Sequence, residues 1–203
     1  MTRVQIDTPH GPAAAELHCA EQGRAALVLG HGAGGGIAAP DLVAATRAAT
    51  DAGVHVALVE QPYRVAGRKA PAPAKQLDAA WLAVAEDLGE RWFPDLPLLF
   101  GGRSSGARVA CRTAEAGAAS AVLCLAFPLH PPGKPEKSRA AELAAVDVPV
   151  LVVQGERDAF GRPEPAHRRD VVLVAGDHSL KADVDAVFRA VDEWLTRVLR
   201  PLD

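Results

Sequence analysis

The sequence is poor in cysteine, in aromatic residues and in long apolar runs, and each shortage excludes a class of protein. Its three cysteines are an odd number without paired spacing, which argues against a disulfide framework. No apolar run approaches the roughly 18 residues that a membrane-spanning helix needs, and the first residues lack the apolar segment of a signal peptide. We therefore expect a cytoplasmic protein with no membrane partner.

The charge balance and composition narrow the class further. The formal net charge of -3 gives no field that would attract nucleic acid, so we expect no nucleic-acid partner. A hydrophobic content of 49% over 203 residues indicates one globular domain, residues 1–203, with a core of Val, Leu and Ala. No group of His, Cys and Asp has the spacing of metal ligands, so we expect no metal and no cofactor.

Apolar runs and helix-forming stretches alternate along the chain. We predict strands at residues 25–29, 54–59, 96–100, 121–127, 149–153 and 171–174, of which 25–29 and 54–59 are buried, and helices at residues 41–49, 74–88, 107–116 and 183–199. Two weaker strands, at residues 4–8 and 13–19, would form an antiparallel edge. The alternation predicts an α/β fold with a mostly parallel sheet and helices on both faces. The distinctive polar motifs follow strand ends, where such sheets place their sites.

One strand-to-helix turn carries the pattern G-x-S-x-G in Gly102, Ser104 and Gly106. A serine on such a sharp turn exposes its hydroxyl above the sheet, and glycine is needed two residues to either side because larger side chains would collide with the neighbouring strand and helix. The turn also places the serine at a helix N-terminus, where free N–H groups meet developing negative charge. We predict that Ser104 is a catalytic nucleophile.

A glycine run at residues 30–36 follows the first buried strand. Its flexibility would let the N–H of Ala33 point toward Ser104, and with the N–H of Ser105 it would form an oxyanion hole. The rival interpretation is a loop that cradles phosphate in a nucleotide-binding protein. The run lacks the Lys-Ser/Thr pair of a P-loop and a clean G-x-G-x-x-G spacing, so we favour the oxyanion loop.

An acid and a base follow later strands. Asp158 and His178 come after Ser104 in the order Ser, Asp, His, which is the order of α/β-hydrolases. Histidine can accept and return the serine proton near neutral pH, and a carboxylate orients its ring. Rival acids are Glu156, Asp147 and Asp177, and rival bases are His31 and His130.

Five stretches together carry a resemblance to a known family: residues 30–35, 102–106, 128–137, 154–158 and 176–179. The chain resembles α/β-hydrolases of the dienelactone-hydrolase-like kind. Within them it is similar to a small group that includes the hydrolase-like domain of an NSL chromatin-complex subunit and bacterial relatives. The stretch His130–Lys137 is the most particular to this group. The resemblance implies Ser104 as nucleophile, Asp158 as acid and His178 as base. True dienelactone hydrolases carry cysteine where this chain has Ser104, which argues against a dienelactone substrate.

These observations favour a serine hydrolase with little or no lid, because only a short segment separates residues 127 and 149. We expect it to cleave small ester-like substrates through an acyl-enzyme intermediate, as a monomer or homodimer. Side chains at the same sheet edge are candidates for binding the substrate: His31, Arg64, Arg103 and His130. The alternative is a non-catalytic interaction module on a hydrolase fold.

Overall fold

The computed structural model describes residues 2–200, and its strands form one eight-stranded sheet. The strands are β1 (Thr2–Ile6), β2 (Ala13–His18), β3 (Ala25–Gly30), β4 (Val54–Glu60), β5 (Leu98–Arg103), β6 (Ala121–Leu125), β7 (Val150–Gly155) and β8 (Arg169–Val174). Their order in the sheet is β1-β2-β4-β3-β5-β6-β7-β8. β1 and β2 pair with each other in antiparallel fashion, as does β2 with β4, and the pairings from β4 to β8 are parallel.

Helices cover both faces of the sheet, as the sequence predicts. They are α1 (Pro40–Asp51), α2 (Pro62–Val65), α3 (Ala74–Arg91), α4 (Ser105–Thr113), α5 (Ala140–Ala144) and α6 (Val184–Val198). Side chains of α3, α4 and α5 join one apolar core, and those of α1 and α6 join the other. The two cores leave the loops at the carboxyl ends of the parallel strands as the place where polar groups can gather.

Burial differs strongly between the middle and the rim of the sheet. Every residue of β3, β6 and β7 is buried. In β8, which ends the sheet order, only Val174 is buried, and Leu173 is exposed. A continuous apolar run such as β6 is therefore buried on both faces, whereas β8 has one strand neighbour and lies at the sheet rim.

The structure departs from the sequence expectation in its short helices. The segment after β4, for which the sequence predicts no helix before residue 74, contains the four-residue helix α2, which begins at Pro62. Proline suits the first turn of a helix because its missing N–H would have no helical partner there. The five-residue helix α5 is the only helix in the described connection between β6 and β7, so no cap domain covers the sheet edge at that point.

No helix within residues 2–200 is long and apolar enough to cross a membrane.

Candidate active site

Ser104 lies on a strained turn between β5 and α4. Its φ of 52° and ψ of -109° are far from the regions that non-glycine residues usually occupy. The turn is fixed by the N–H of Ser104, which donates to the carbonyl of Leu125 on β6 at 2.9 Å. α4 begins at the next residue, so the hydroxyl is held at a helix N-terminus beside the middle of the sheet.

Gly102 and Gly106 leave room for main-chain atoms of neighbouring segments, which approach both positions closely. A Cβ on Gly102 would lie 2.3 Å from the carbonyl carbon of Gly106. A Cβ on Gly106 would lie 2.7 Å from the carbonyl oxygen of Gly30 and 2.8 Å from that of His31. This confirms the steric reason for glycine on both sides of Ser104.

Three predicted residues form a continuous chain of hydrogen bonds. The Oγ atom of Ser104 lies 2.8 Å from Nε2 of His178, and Nδ1 of His178 lies 2.8 Å from Oδ2 of Asp158. Because a carboxylate only accepts, Nδ1 carries the ring proton, and Nε2 is left to accept the proton of the Ser104 hydroxyl. The Asp158 carboxylate is fully buried, whereas the His178 side chain is one-fifth exposed.

Neighbouring groups hold the Asp158 carboxylate and the His178 ring in place. The amide Nε2 of Gln154 donates to Oδ2 of Asp158 at 2.7 Å, and the N–H of Phe160 donates to Oδ1 at 2.8 Å. The Phe160 ring stacks on the His178 imidazole with ring centroids 4.1 Å apart. The carboxylate thus accepts bonds on both oxygens, and one face of the imidazole is covered by an aromatic ring.

The two backbone N–H groups predicted for an oxyanion hole lie on different elements: that of Ala33 on the loop after β3, and that of Ser105 at the start of α4. Among the described residues, the N–H groups of Ala33 and Ser105 have no hydrogen-bond partner. The Tyr63 hydroxyl donates to the carbonyl of Ala33 at 3.0 Å and thereby ties this loop to α2. Both N–H groups are therefore available to a negatively charged oxygen.

His31 is a buried part of this loop. Its Nδ1–H donates to the carbonyl of Gly32 at 2.8 Å, and its Nε2 accepts the N–H of Gln61 at 3.2 Å. Burial lowers the pKa of His31, the Arg64 charge acts in the same direction, and the hydrogen bond to Gly32 opposes them. The imidazole is therefore neutral at pH 7 and fixes the path of the loop.

This lowered pKa predicts a loss of stability in acid. Below the ordinary histidine pKa of about 6.5, the unfolded chain gains a proton at His31 that the folded chain resists, so falling pH favours unfolding. We expect the stability advantage of the wild type over His31→Gln to shrink by about 1 kcal/mol between pH 7 and pH 5. Urea unfolding at several pH values measures it.

Exposed His10 provides the matched control for this experiment. His10→Gln should differ from the wild type by a constant amount across the same pH range. If the stability difference between the wild type and His31→Gln were also constant with pH, protonation of the buried imidazole would not be coupled to unfolding.

Two of the four candidate substrate-binding residues are engaged elsewhere. Both ring nitrogens of His31 are bound to main-chain groups, so its side chain is not free to contact a substrate. The Arg103 guanidinium forms an ion pair with Asp41 and a hydrogen bond to the carbonyl of His178. The structure thus gives both side chains internal partners, and their roles in binding a substrate stay predictions.

The other two candidates lie on α2 and in the connection between β6 and β7. Arg64 is half-buried on α2, next to Tyr63. The His130 ring donates from Nδ1 to the carbonyl of Pro131 at 2.9 Å, and its backbone N–H donates to the carbonyl of Phe160 at 2.9 Å. Their roles in binding a substrate stay predictions.

Within the described residues, none of the rival carboxylates is hydrogen-bonded to the His178 ring. Asp177 is exposed and accepts the N–H and the hydroxyl of Ser179, which lower the pKa of its carboxyl group. Glu156 is exposed, and Asp147 precedes β7 and so lies at the opposite end of the sheet. Asp158 is therefore the carboxylate that the fold brings to the imidazole.

Four supporting residues were missed by the sequence interpretation: Asp41, Tyr63, Gln154 and Phe160. Gln154 is the one polar side chain in the buried strand β7, and this exception to the apolar pattern is a signal in the sequence. The side chains of the other three contact segments distant in the chain, namely those of Arg103, Ala33 and His178, and no spacing in the sequence indicates these contacts. Within residues 2–200 no cluster of three or more His, Cys, Asp or Glu residues could hold a metal ion.

Sequence comparison assigns most of the chain to one family. A family profile described as an alpha/beta hydrolase domain matches residues 23–198. A search among curated protein sequences finds no significant match.

Solved structures with the same fold include three informative neighbours. XC6422 from Xanthomonas campestris, described as an a/b serine hydrolase without lid, has a TM-score of 0.79 at 21% identity, with 100% of this chain and 96% of that chain covered. Est1E from Butyrivibrio proteoclasticus has a TM-score of 0.78 at 17% identity, with 98% and 99% covered. Dienelactone hydrolase from Anabaena variabilis has a TM-score of 0.75 at 15% identity, with 97% and 96% covered.

Proposed function

Because this chain belongs to the alpha/beta hydrolase family, we propose that it is a serine hydrolase that cleaves small ester-like substrates through an acyl-enzyme intermediate. The observation that carries the proposal is the hydrogen-bonded chain from Ser104 through His178 to Asp158. A free serine hydroxyl is a poor nucleophile, and an adjacent oriented base is what activates it.

In the first half-reaction, the Ser104 oxygen attacks the ester carbonyl while its proton passes to Nε2 of His178. The N–H groups of Ala33 and Ser105 stabilise the carbonyl oxygen, which becomes an oxyanion. In similar enzymes one such donor contributes about 3–4 kcal/mol to the barrier reduction. The imidazolium, held by Asp158, then returns its proton to the leaving alcohol, and the acyl group remains on Ser104.

In the second half-reaction, a water molecule replaces the alcohol. His178 takes a proton from the water as it attacks the acyl carbon, and then returns that proton to the Ser104 oxygen as the carboxylic acid departs. The same base and the same oxyanion donors serve both halves, which is why one imidazole suffices.

The short connection between β6 and β7 supports a substrate that is small and water-soluble. No cap domain covers the sheet edge there, so an acyl chain that needs an enclosed apolar tunnel gains little from this site. The XC6422 neighbour, described as lacking a lid, has the same fold. We further propose a place in the group related to the NSL chromatin-complex subunit, on the basis of the segment from His130 to Lys137.

A fluorophosphonate probe tests the proposed function directly. It phosphonylates a serine only when a base activates the hydroxyl, so intact-mass analysis should show a single adduct on the wild type and none on Ser104→Ala. Hydrolysis of short-chain esters should fall by at least about 10⁴-fold in the same variant.

Exposed Ser120 offers a control of the same residue type. Ser120→Ala should retain the adduct in full. A folded wild type that forms no adduct would contradict the enzyme proposal and favour the non-catalytic interaction module.

A further inference from the structure

The side chain of Arg103, which lies between Gly102 and Ser104 in the sequence, points back into the protein. The Arg103 guanidinium lies with Nε 3.0 Å from Oδ2 of Asp41, and its Nη2 donates to the main-chain carbonyl of His178 at 3.1 Å. Its side chain is 18% exposed. Arg103 is therefore covalently joined to Ser104, the proposed nucleophile, and is also hydrogen-bonded to the main chain of His178, the proposed base.

Asp41 is the reason why Arg103 adopts this direction. Its carboxylate is fully buried in the first turn of α1, and neither oxygen accepts a well-directed hydrogen bond from any residue in the range 2–200. Burial raises the pKa of Asp41, and the Arg103 charge is the largest influence that opposes this rise. A buried carboxylate needs such a cation, so the pair holds the guanidinium in one place.

The guanidinium also lies against the loop after β3. A Cβ on Gly32 would come within 2.9 Å of Nη1 of Arg103. The loops after β3, β5 and β8, which supply the proposed oxyanion donor, the nucleophile and the base, thus meet around one planar cation.

We propose that Arg103, oriented by Asp41, is a positioning residue that fixes the main chain of His178 relative to Ser104. The inference rests on the proposed function, since it assigns Arg103 a part in the same reaction. Asp158 and Phe160 hold the imidazole ring, but neither fixes the main chain on which the ring pivots. The hydrogen bond from Arg103 to the His178 carbonyl fixes this main chain, because it joins the residue next to Ser104 to the loop of His178 through one rigid guanidinium group.

Two variants separate positioning from folding. In the double variant Asp41→Leu/Arg103→Met, two apolar side chains replace a buried ion pair, an exchange that proteins often tolerate without loss of stability. Arg103→Lys keeps a cation for Asp41, but a single ammonium cannot contact Asp41 and His178 in the way a guanidinium does. In both variants we expect kcat on a neutral short-chain ester to fall about 100-fold while KM stays nearly constant.

Arg112 provides a matched control on α4. Its guanidinium donates to both carboxylate oxygens of Asp78 at 2.9 and 2.6 Å, and its side chain is 19% exposed. Arg112→Met removes a guanidinium of similar exposure from an ion pair that does not involve the histidine loop, so kcat should be unchanged. An equal fall in kcat in Arg112→Met and the double variant would assign the effect to stability and overturn the proposal, as would full activity in Arg103→Lys.

A second measurement does not depend on activity. The proton on Nδ1 of His178, bonded to Asp158, should give a low-field NMR signal in the wild type that broadens in the double variant as the loop loosens. An unchanged signal would overturn the role of Arg103. An inactive wild type that shows this difference would contradict the proposed function and leave the positioning role standing.

Discussion

Replacement of Asp158 by asparagine is expected to lower kcat for ester hydrolysis about 10⁴-fold while the protein stays folded. The carboxylate accepts three hydrogen bonds: from Nδ1 of His178 and Nε2 of Gln154 on Oδ2, and from the N–H of Phe160 on Oδ1. An asparagine has one acceptor oxygen, so whichever way it turns, its amino group faces a donor.

This replacement affects which ring nitrogen of His178 carries the proton. If the asparagine oxygen turns toward the Phe160 N–H, its amino group meets the imidazole at Nδ1 and favours the proton on Nε2. That tautomer cannot accept the proton of the Ser104 hydroxyl. Steady-state kinetics on a short-chain ester measures the loss, and circular dichroism checks that the fold is retained.

Asp177 is the matched control for this replacement. It is exposed, adjacent to His178 in sequence, and bonded only to Ser179 among the side-chain contacts in the described chain. Asp177→Asn should leave kcat nearly unchanged. If Asp177→Asn lowered kcat as much as Asp158→Asn, the assignment of the acid to Asp158 would fail.

Replacement of Gly106 by alanine is expected to lower the free energy of unfolding by about 3 kcal/mol. The added methyl group would lie 2.7 Å from the carbonyl oxygen of Gly30 and 2.8 Å from that of His31. Neither contact is with a flexible side chain, so α4 or the end of β3 must move. Either movement separates the Ser104 turn from the loop that carries Ala33.

Urea unfolding measures this loss, and Gly34 supplies the control. A Cβ on Gly34 would meet nothing within 4 Å, so Gly34→Ala should change stability by less than about 0.5 kcal/mol. Equal unfolding midpoints for the two variants would show that the close approach of α4 to β3 does not constrain the fold.

The general architecture could be predicted from the sequence because each strand and helix carries a local signal. Continuous apolar runs such as β6 are buried on both faces, and the polar motifs at strand ends meet at one edge of a parallel sheet. The sequence could predict for the same reason that Ser104, Asp158 and His178 lie close together, since each follows the carboxyl end of a strand.

The sequence contains no comparable signal for the direction in which a long side chain points. Arg103 adjoins Ser104 in sequence, and nothing local indicates that it turns toward Asp41 rather than toward a ligand. The buried carboxylate lies in the first turn of α1, where an acidic residue is ordinarily explained by the helix dipole.

The place of β8 in the sheet has a consequence for the order in which the protein loses its properties. His178 follows the strand that pairs only with β7 and buries only Val174. A rim strand of this kind opens at a lower free-energy cost than the middle of the sheet, where Ser104 is anchored. Partial opening there would separate the His178 ring from the Ser104 hydroxyl while the apolar cores persist. The hydrolase activity that we propose would then be lost before the rest of the fold on the route to the denatured state.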